Sequence, residues 1–105
     1  MKNTEDFEAC ATRLKALADP TRLQIVSCLF AGTKNVGDLA EALGDEIVTI
    51  SHHLGVLRHA GLVQAHKRGR FVEYALHPDV APAIKQLTPP KSIDLGCCRL
   101  DLRGG

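Results

Sequence analysis

The sequence predicts a mainly α fold of the α+β kind, with about five helices and one two-stranded β-hairpin. Three observations predict it. Apolar residues recur at helical spacing in successive segments whose ends carry capping residues. Two of these segments, "NVGDLAEALG" and "IVTISHHLGVLRHAG", are short and joined by a tight turn containing Gly44, which is the pattern of a helix-turn-helix. After them, "LVQAHKRGRFVEYAL" has two strand-like runs connected by Arg68-Gly69-Arg70, as in a hairpin.

The first helix opens at Asn3, a suitable cap, with Glu5 and Asp6 near its positive end. Phe7, Cys10, Leu14 and Leu17 then share one apolar face. The second helix starts in "DPTRLQIVSCLF", where Asp19 is the cap and Pro20 occupies the first turn, a place where its missing N–H costs nothing. Leu23, Val26, Leu29 and Phe30 form its buried stripe, and Cys28 projects to the other side with Gln24. Asn35 caps the third helix, with Asp38 three residues on, and Gly44 stops it. The fourth helix ends at Gly61. Strands over 62–66 and 71–76 build the hairpin, and a last helix runs roughly from Asp79 to Leu87, with Pro82 in its first turn and Pro89 beyond its end. The expected organisation is one domain over residues 1–87 and a cysteine-containing tail over 88–105.

The chain has 105 residues, 45% of them apolar and 24% charged, an ordinary composition for one globular domain. Its formal net charge is +1, so any attraction for a polyanion must come from a local patch. No apolar run approaches the roughly 20 residues that span a bilayer, and "MKNTEDFEAC" is acidic where a signal peptide is basic and apolar. A cytoplasmic location without a membrane partner is therefore expected. In a reducing compartment Cys10, Cys28, Cys97 and Cys98 read as free thiols, metal ligands or redox sensors. No phosphate loop, paired carboxylate, Ser/His/Asp or Cys/His arrangement stands out, so an enzyme is not expected.

Winding the fourth helix at about 100° per residue puts Ile50, Leu54 and Leu57 on one side, with His53 on the shoulder of that stripe. Val48, His52, Gly55 and His59 face the opposite way, flanked by Thr49 and Ser51. Small groups and hydrogen-bonding side chains on one face suit a helix that enters a major groove. Gly55 weakens the helix but permits close approach to a phosphate backbone. Lys67, Arg68 and Arg70 cluster at the hairpin tip beside His66. Taken alone a charged tip is simply solvated; together with the helix-turn-helix it suits phosphates or a minor groove.

The segments "LKALADPTRLQIVSCL", "VGDLAEALG", "TISHHLGVLRHAGLV" and "GRFVEYAL" resemble, in unbroken order over residues 10 to 77, the ArsR/SmtB family of winged-helix repressors. The resemblance implies a homodimeric winged helix-turn-helix repressor, paired through its first and last helices, that leaves double-stranded DNA when it binds a metal, a metalloid or another thiol-directed signal. Two-fold symmetry would set the recognition helices about 34 Å apart on an imperfect palindrome. The DNA-contacting set expected is Val48, Thr49, Ser51, His52, His59, Lys67, Arg68 and Arg70. Where the family often opens this helix with Ser-Gln the chain has Glu46-Ile47, and Gly55 replaces a frequent Lys or Arg. Weight therefore shifts to Thr49, Ser51 and His52 for base reading.

Neither of the family's usual effector sites is present. Asn35 and Gly37 stand where the arsenic-type site has its Cys-x-Cys pair, and "DVAPAIKQL" offers Asp79 but no histidine to a zinc-type site. What remains is the vicinal pair Cys97 and Cys98, two soft ligands suited to As(III), Sb(III), Cu(I) or Hg(II). Arg99 beside them would favour the thiolate form. A pyramidal three-sulfur site needs one more thiol, and the family's packing of first against last helix makes Cys10 the best candidate, with Cys28 a weaker choice because it projects away from its helix's buried stripe; taken alone, the apolar stripe favours Cys10 as a packed core thiol. Ile93, Leu95 and Cys97 alternate in one phase while Cys98, Leu100 and Leu102 alternate in the other, a reversal that marks a bulge or turn in an extended segment. The expected function is thus a repressor released by a soft ion, most simply As(III), at Cys97, Cys98 and Cys10. Two alternatives stay open: a thiol-redox or persulfide sensor of the same fold, and a winged-helix interaction module or thiol-rich metal carrier without specific DNA binding.

Overall fold

The computed structural model describes residues 4–81 and 91–103. Four helices are present among them: α1 (Thr4–Leu17), α2 (Pro20–Leu29), α3 (Val36–Leu43) and α4 (Ile47–His59). Five strands accompany them: β1 (Lys34–Asn35), β2 (Val63–Arg68), β3 (Phe71–Leu76), β4 (Lys91–Asp94) and β5 (Arg99–Leu102).

Local chemistry fixes the helix ends as the sequence predicts. The Asp19 carboxylate accepts from the Arg22 backbone N–H at 3.0 Å, closing the start of α2. The Asn35 side chain accepts from the Asp38 N–H at 2.7 Å at the start of α3. Gly44 ends α3 in the left-handed region, φ 64° and ψ 37°, which an L side chain adopts only at a cost. The expected cap Asn3 lies outside the described residues, as do the boundary near 87/88 and the last helix from Pro82 onward. The described start of that expected helix differs from prediction: residues 78–81 are turn and bend.

The core forms where the helical stripes meet. Ile25, Val26 and Leu29 of α2, Leu39 of α3, Ile50, Leu54 and Leu57 of α4, and Leu62 and Val63 at the start of the hairpin are all buried. On α1 only part of the expected face is inside: Cys10 and Leu17 are buried, whereas Phe7 and Leu14 are 54% and 42% exposed. The hairpin sheet has three strands, not two, in the order β1-β3-β2. The two residues of β1 pair with Tyr74 and Glu73. Lys67 and Arg68 belong to β2, so the turn itself is Gly69-Arg70, with Gly69 at φ 59°.

The C-terminal segment is folded. β4 and β5 pair antiparallel, Ile93 opposite Leu100 and Asp94 opposite Arg99, in a second, two-stranded sheet. Residues 95–98 connect them, and Gly96 in that turn lies at φ 98°, a backbone region that favours glycine. The turn is held by Leu95 N–H donating to Cys98 O at 2.8 Å and Gly96 N–H donating to the Asp94 carboxylate at 2.9 Å. It explains the phase reversal in the sequence. Reversing the chain there puts Ile93, Leu95, Leu100 and Leu102 on one face, and Ile93 and Leu95 are buried with the main core. Asp94 N–H donates to Val80 O at 2.8 Å and Lys91 Nζ donates to Ser27 Oγ at 3.1 Å, fastening the hairpin to the domain.

If this hairpin is part of the cooperative core, Ile93→Ala should cost about 2–5 kcal/mol, read as a lower urea midpoint with an unchanged slope. A midpoint equal to wild type would show that the hairpin contributes nothing to global stability.

Candidate functional site

Two surfaces carry chemistry. The first is the outer face of α4 with the β2–β3 wing. Because Ile50, Leu54 and Leu57 are wholly buried, the opposite face must point out. Val48 is 78% exposed, Ser51, His52 and His59 are exposed, and Thr49 is half-buried. A Cβ added at Gly55 would meet nothing within 4 Å, so the helix surface there is open to a close neighbour. Lys67, Arg68 and Arg70 are exposed at the wing tip. Arg68 is partly neutralised by Glu73, Nε to Oε1 3.2 Å, so Lys67 and Arg70 are the wing cations better placed to meet a phosphate.

His53 takes no part in that face. Its ring is packed, and its Nδ1 lies 3.0 Å from Arg22 Nη1. A guanidinium has only donors, so Nδ1 is the accepting nitrogen. The 4.0 Å approach of the Asp19 carboxylate to the same atom is then a neighbouring charge, not a hydrogen bond. Arg22 also donates from Nε to Ala16 O. It thereby joins the end of α1, the cap of α2 and the middle of α4. The sequence signals only its place in the first turn after Asp19; its reach across to α4 is a tertiary fact.

The second surface is a cluster of sulfur atoms. Cys10 comes from α1, and Cys97 and Cys98 from the C-terminal turn. Their Sγ atoms all lie within 4.8 Å of one another. Cys10 and Cys97 form a disulfide across 87 residues, with Cα atoms 5.9 Å apart. The Cys98 Sγ stands 3.9 Å from that of Cys10 and 3.7 Å from that of Cys97. Cys10 is completely buried, whereas Cys98 is exposed. Cys28 stays apart as a free, half-buried thiol in a groove with Gln24, Leu43 and Leu102. Arg99 faces Asp94 across the hairpin. Arg13, which sequence reasoning overlooked, donates from Nη1 to Leu95 O at 3.2 Å and so pins the cysteine turn to α1. Among the described residues this is the one group of His, Cys, Asp and Glu side chains close enough together to hold a metal ion, which it could do once the Cys10–Cys97 bond is reduced.

A helix-turn-helix with an exposed reading face and a basic wing defines a DNA-binding regulator. Residues 19–65 match the family described as bacterial regulatory protein, arsR family. The chain is 39% identical over 66 residues to the transcriptional repressor SdpR of Bacillus subtilis, covering 63% of this chain and 73% of SdpR. It is 48% identical over 67 residues to the transcriptional regulator NmtR of Mycobacterium tuberculosis, covering 64% of this chain but only 56% of NmtR. Among solved structures, it is similar to a homodimeric winged helix-turn-helix DNA-binding domain from Mycobacterium bovis, with TM-score 0.65, 36% identity and coverage of 67% of this chain and 65% of that one. A possible transcriptional regulator for arsenical resistance matches with TM-score 0.61, 42% identity and coverage of 63% and 69%. The chain belongs to the ArsR family of winged-helix transcriptional regulators and is not an enzyme.

The Arg22 backbone N–H, together with the Arg22 charge, holds the Asp19 carboxyl below its ordinary value. A depressed carboxyl contributes stability above its unfolded pKa, near 3.9, and loses that contribution as pH falls through the lower folded value. Asp19→Asn should therefore flatten the decline in stability below about pH 4, measured by urea titration at several pH values. An unchanged pH profile would remove Asp19 from the account.

Proposed function

We propose that the protein is a cytoplasmic homodimeric repressor that leaves its operator when Cys10, Cys97 and Cys98 capture a soft ion, As(III) before Sb(III), Cu(I) or Hg(II). One observation carries the choice of effector class: three cysteine sulfurs, two of them joined as a disulfide, converge from segments 87 residues apart, with no nitrogen or oxygen ligand among them. An all-sulfur set selects soft, thiophilic ions over hard ones. All three ligands come from one chain, so each subunit carries a complete site. The ion requires the reduced form, in which Cys10 and Cys97 are thiols. The arsenical-resistance regulator among the structural neighbours supports As(III) as the first ion to try.

Residues 1–87 carry DNA binding and dimerisation, and 88–105 contribute the two vicinal thiols. The homodimeric neighbour supports a dimer, and the exposed Phe7 and Leu14 on α1 give it an apolar surface to bury. Thr49, Ser51 and His52 read base edges with Val48 and His59 beside them, while Lys67, Arg68 and Arg70 hold phosphates or the minor groove. The operator is an imperfect double-stranded palindrome read by two helices about 34 Å apart. Ion binding releases DNA because it favours a dimer geometry with a different helix spacing.

Reduced protein should bind DNA from its own upstream region, with affinity falling steeply as salt rises. Lys67→Ala and Arg70→Ala each remove one cation from the phosphates, and each should lower the log–log salt slope by about 0.9. Binding that ignores salt, or shows no preference over random DNA, would favour the interaction-module or carrier reading. Arsenite should release the DNA from wild type, and Cys97→Ser or Cys98→Ser should raise the dose needed at least about tenfold, a loss of about 1.4 kcal/mol of ion affinity. Release that persists unchanged in both variants would defeat the three-sulfur site.

A further inference from the structure

We propose that the cluster has a second input: a two-electron oxidant that forms the Cys10–Cys97 disulfide produces the same release of DNA as the ion, and Cys98 separates the two responses. The inference rests on reading the cluster as the effector site, and it adds an activity to it. Its basis is an asymmetry within the triad. A three-coordinate ion uses all three sulfurs. The disulfide uses only Cys10 and Cys97 and leaves Cys98 as a free thiol.

Both events tie the same two places together. Cys10 lies in the middle of α1 and Cys97 in the turn between β4 and β5. A bond through an ion and a direct sulfur–sulfur bond each fix that turn against α1. The Cα separation of 5.9 Å in the bonded form falls in the ordinary range for a disulfide, so α1 and the turn meet the geometry that this bond requires. The turn already belongs to the folded domain through Ile93, Leu95 and the Arg13 hydrogen bond. The encounter of the two sulfurs is therefore local and does not require a loose tail to find its partner.

The chemistry balances with hydrogen peroxide as oxidant. The thiolate of one cysteine attacks a peroxide oxygen, and the O–O bond breaks to give a sulfenic acid and water. The second thiol displaces the hydroxyl as a second water, forming the S–S bond. Two electrons pass from the two sulfurs to the peroxide. An external dithiol returns them by thiol–disulfide exchange. Because the disulfide consumes two of the three ion ligands, the oxidised site cannot hold the ion. The inputs are alternatives at one site, not additive signals at two.

The test uses the full chain and DNA from its upstream region, with arsenite and hydrogen peroxide as the two probes. Wild type should release DNA with either, and mass mapping of the oxidised protein should find Cys10 joined to Cys97. Cys98→Ser, at an exposed position and checked for native circular dichroism, should keep its peroxide dose within about twofold while needing at least tenfold more arsenite. Cys97→Ser should lose both responses. Cys10 is buried, so Cys10→Ala is checked for native circular dichroism beside Cys10→Ser, and either folded variant should lose both responses. If peroxide forms the Cys10–Cys97 bond but the oxidised protein holds DNA as tightly as the reduced one, the second input is wrong while the ion reading stands. Equal loss of both responses in Cys98→Ser also overturns the separation. If arsenite neither binds nor releases DNA while peroxide does, it is the ion reading that fails.

Discussion

The burial of one stripe of α4 is the constraint on which the other features depend. Ile50, Leu54 and Leu57 have no exposed surface. With those three fixed, helical geometry alone decides that Val48, Ser51, His52 and His59 face outward. The same helix packs against α1, α2, α3 and β2. No neighbour can move unless α4 follows or a gap opens between them, and gaps are costly in a close-packed interior. The outward face of α4 is thus held in place by the core.

A physical route joins the sulfur cluster to that helix. Arg13 donates to Leu95 O in the cysteine turn. Cβ atoms added at Gly96 and Gly61 would lie 3.7 and 3.8 Å from its terminal nitrogens, so one guanidinium sits between the cysteine turn and the turn that follows α4. From the other side, Arg22 links Ala16 at the end of α1 to His53 in α4. Tightening the turn on Cys10 therefore bears on α1, and α1 bears on α4 through two arginines and direct packing. Contiguity of this kind provides a mechanical connection; the coupling itself is a free energy between two sites.

Much of this was legible in the sequence, for reasons that are local. Asp19-Pro20, Asn35 with Asp38, and Gly44 announce helix ends because capping is chemistry between near neighbours. The faces of α4 follow from periodicity. The family was legible because four phrases keep their order. What escaped is non-local. The two residues of β1 pair with Tyr74 and Glu73, far along the chain, and so short a strand has no alternation to read. Phe7 and Leu14 fit the stripe of α1 yet remain exposed, since periodicity identifies a face but not what covers it. The phase reversal at Cys97-Cys98 was visible as a turn or bulge; that the turn closes a hairpin buried by Ile93 and Leu95 depended on tertiary packing. The three thiols could be named as a set from their chemistry and the family's packing, but not their convergence within one chain, nor the roles of Arg13 and Arg22.

The distribution of ligands gives the cluster its leverage. A site confined to one helix would bind an ion without changing how helices meet, because its ligands already move together. Here one ligand is at the buried face of α1 and two are in a turn between other strands. Any species that bonds to both segments has a different free energy in conformations that bring them together and conformations that let them part. Only such a difference shifts an equilibrium between conformations. The burial gradient points the same way. Cys98 is exposed, while Cys10 lies within the core, so the proposed site would be completed against the packed interior. Under the proposed function, a species captured at this cluster would constrain α1, the element that packs directly on α4.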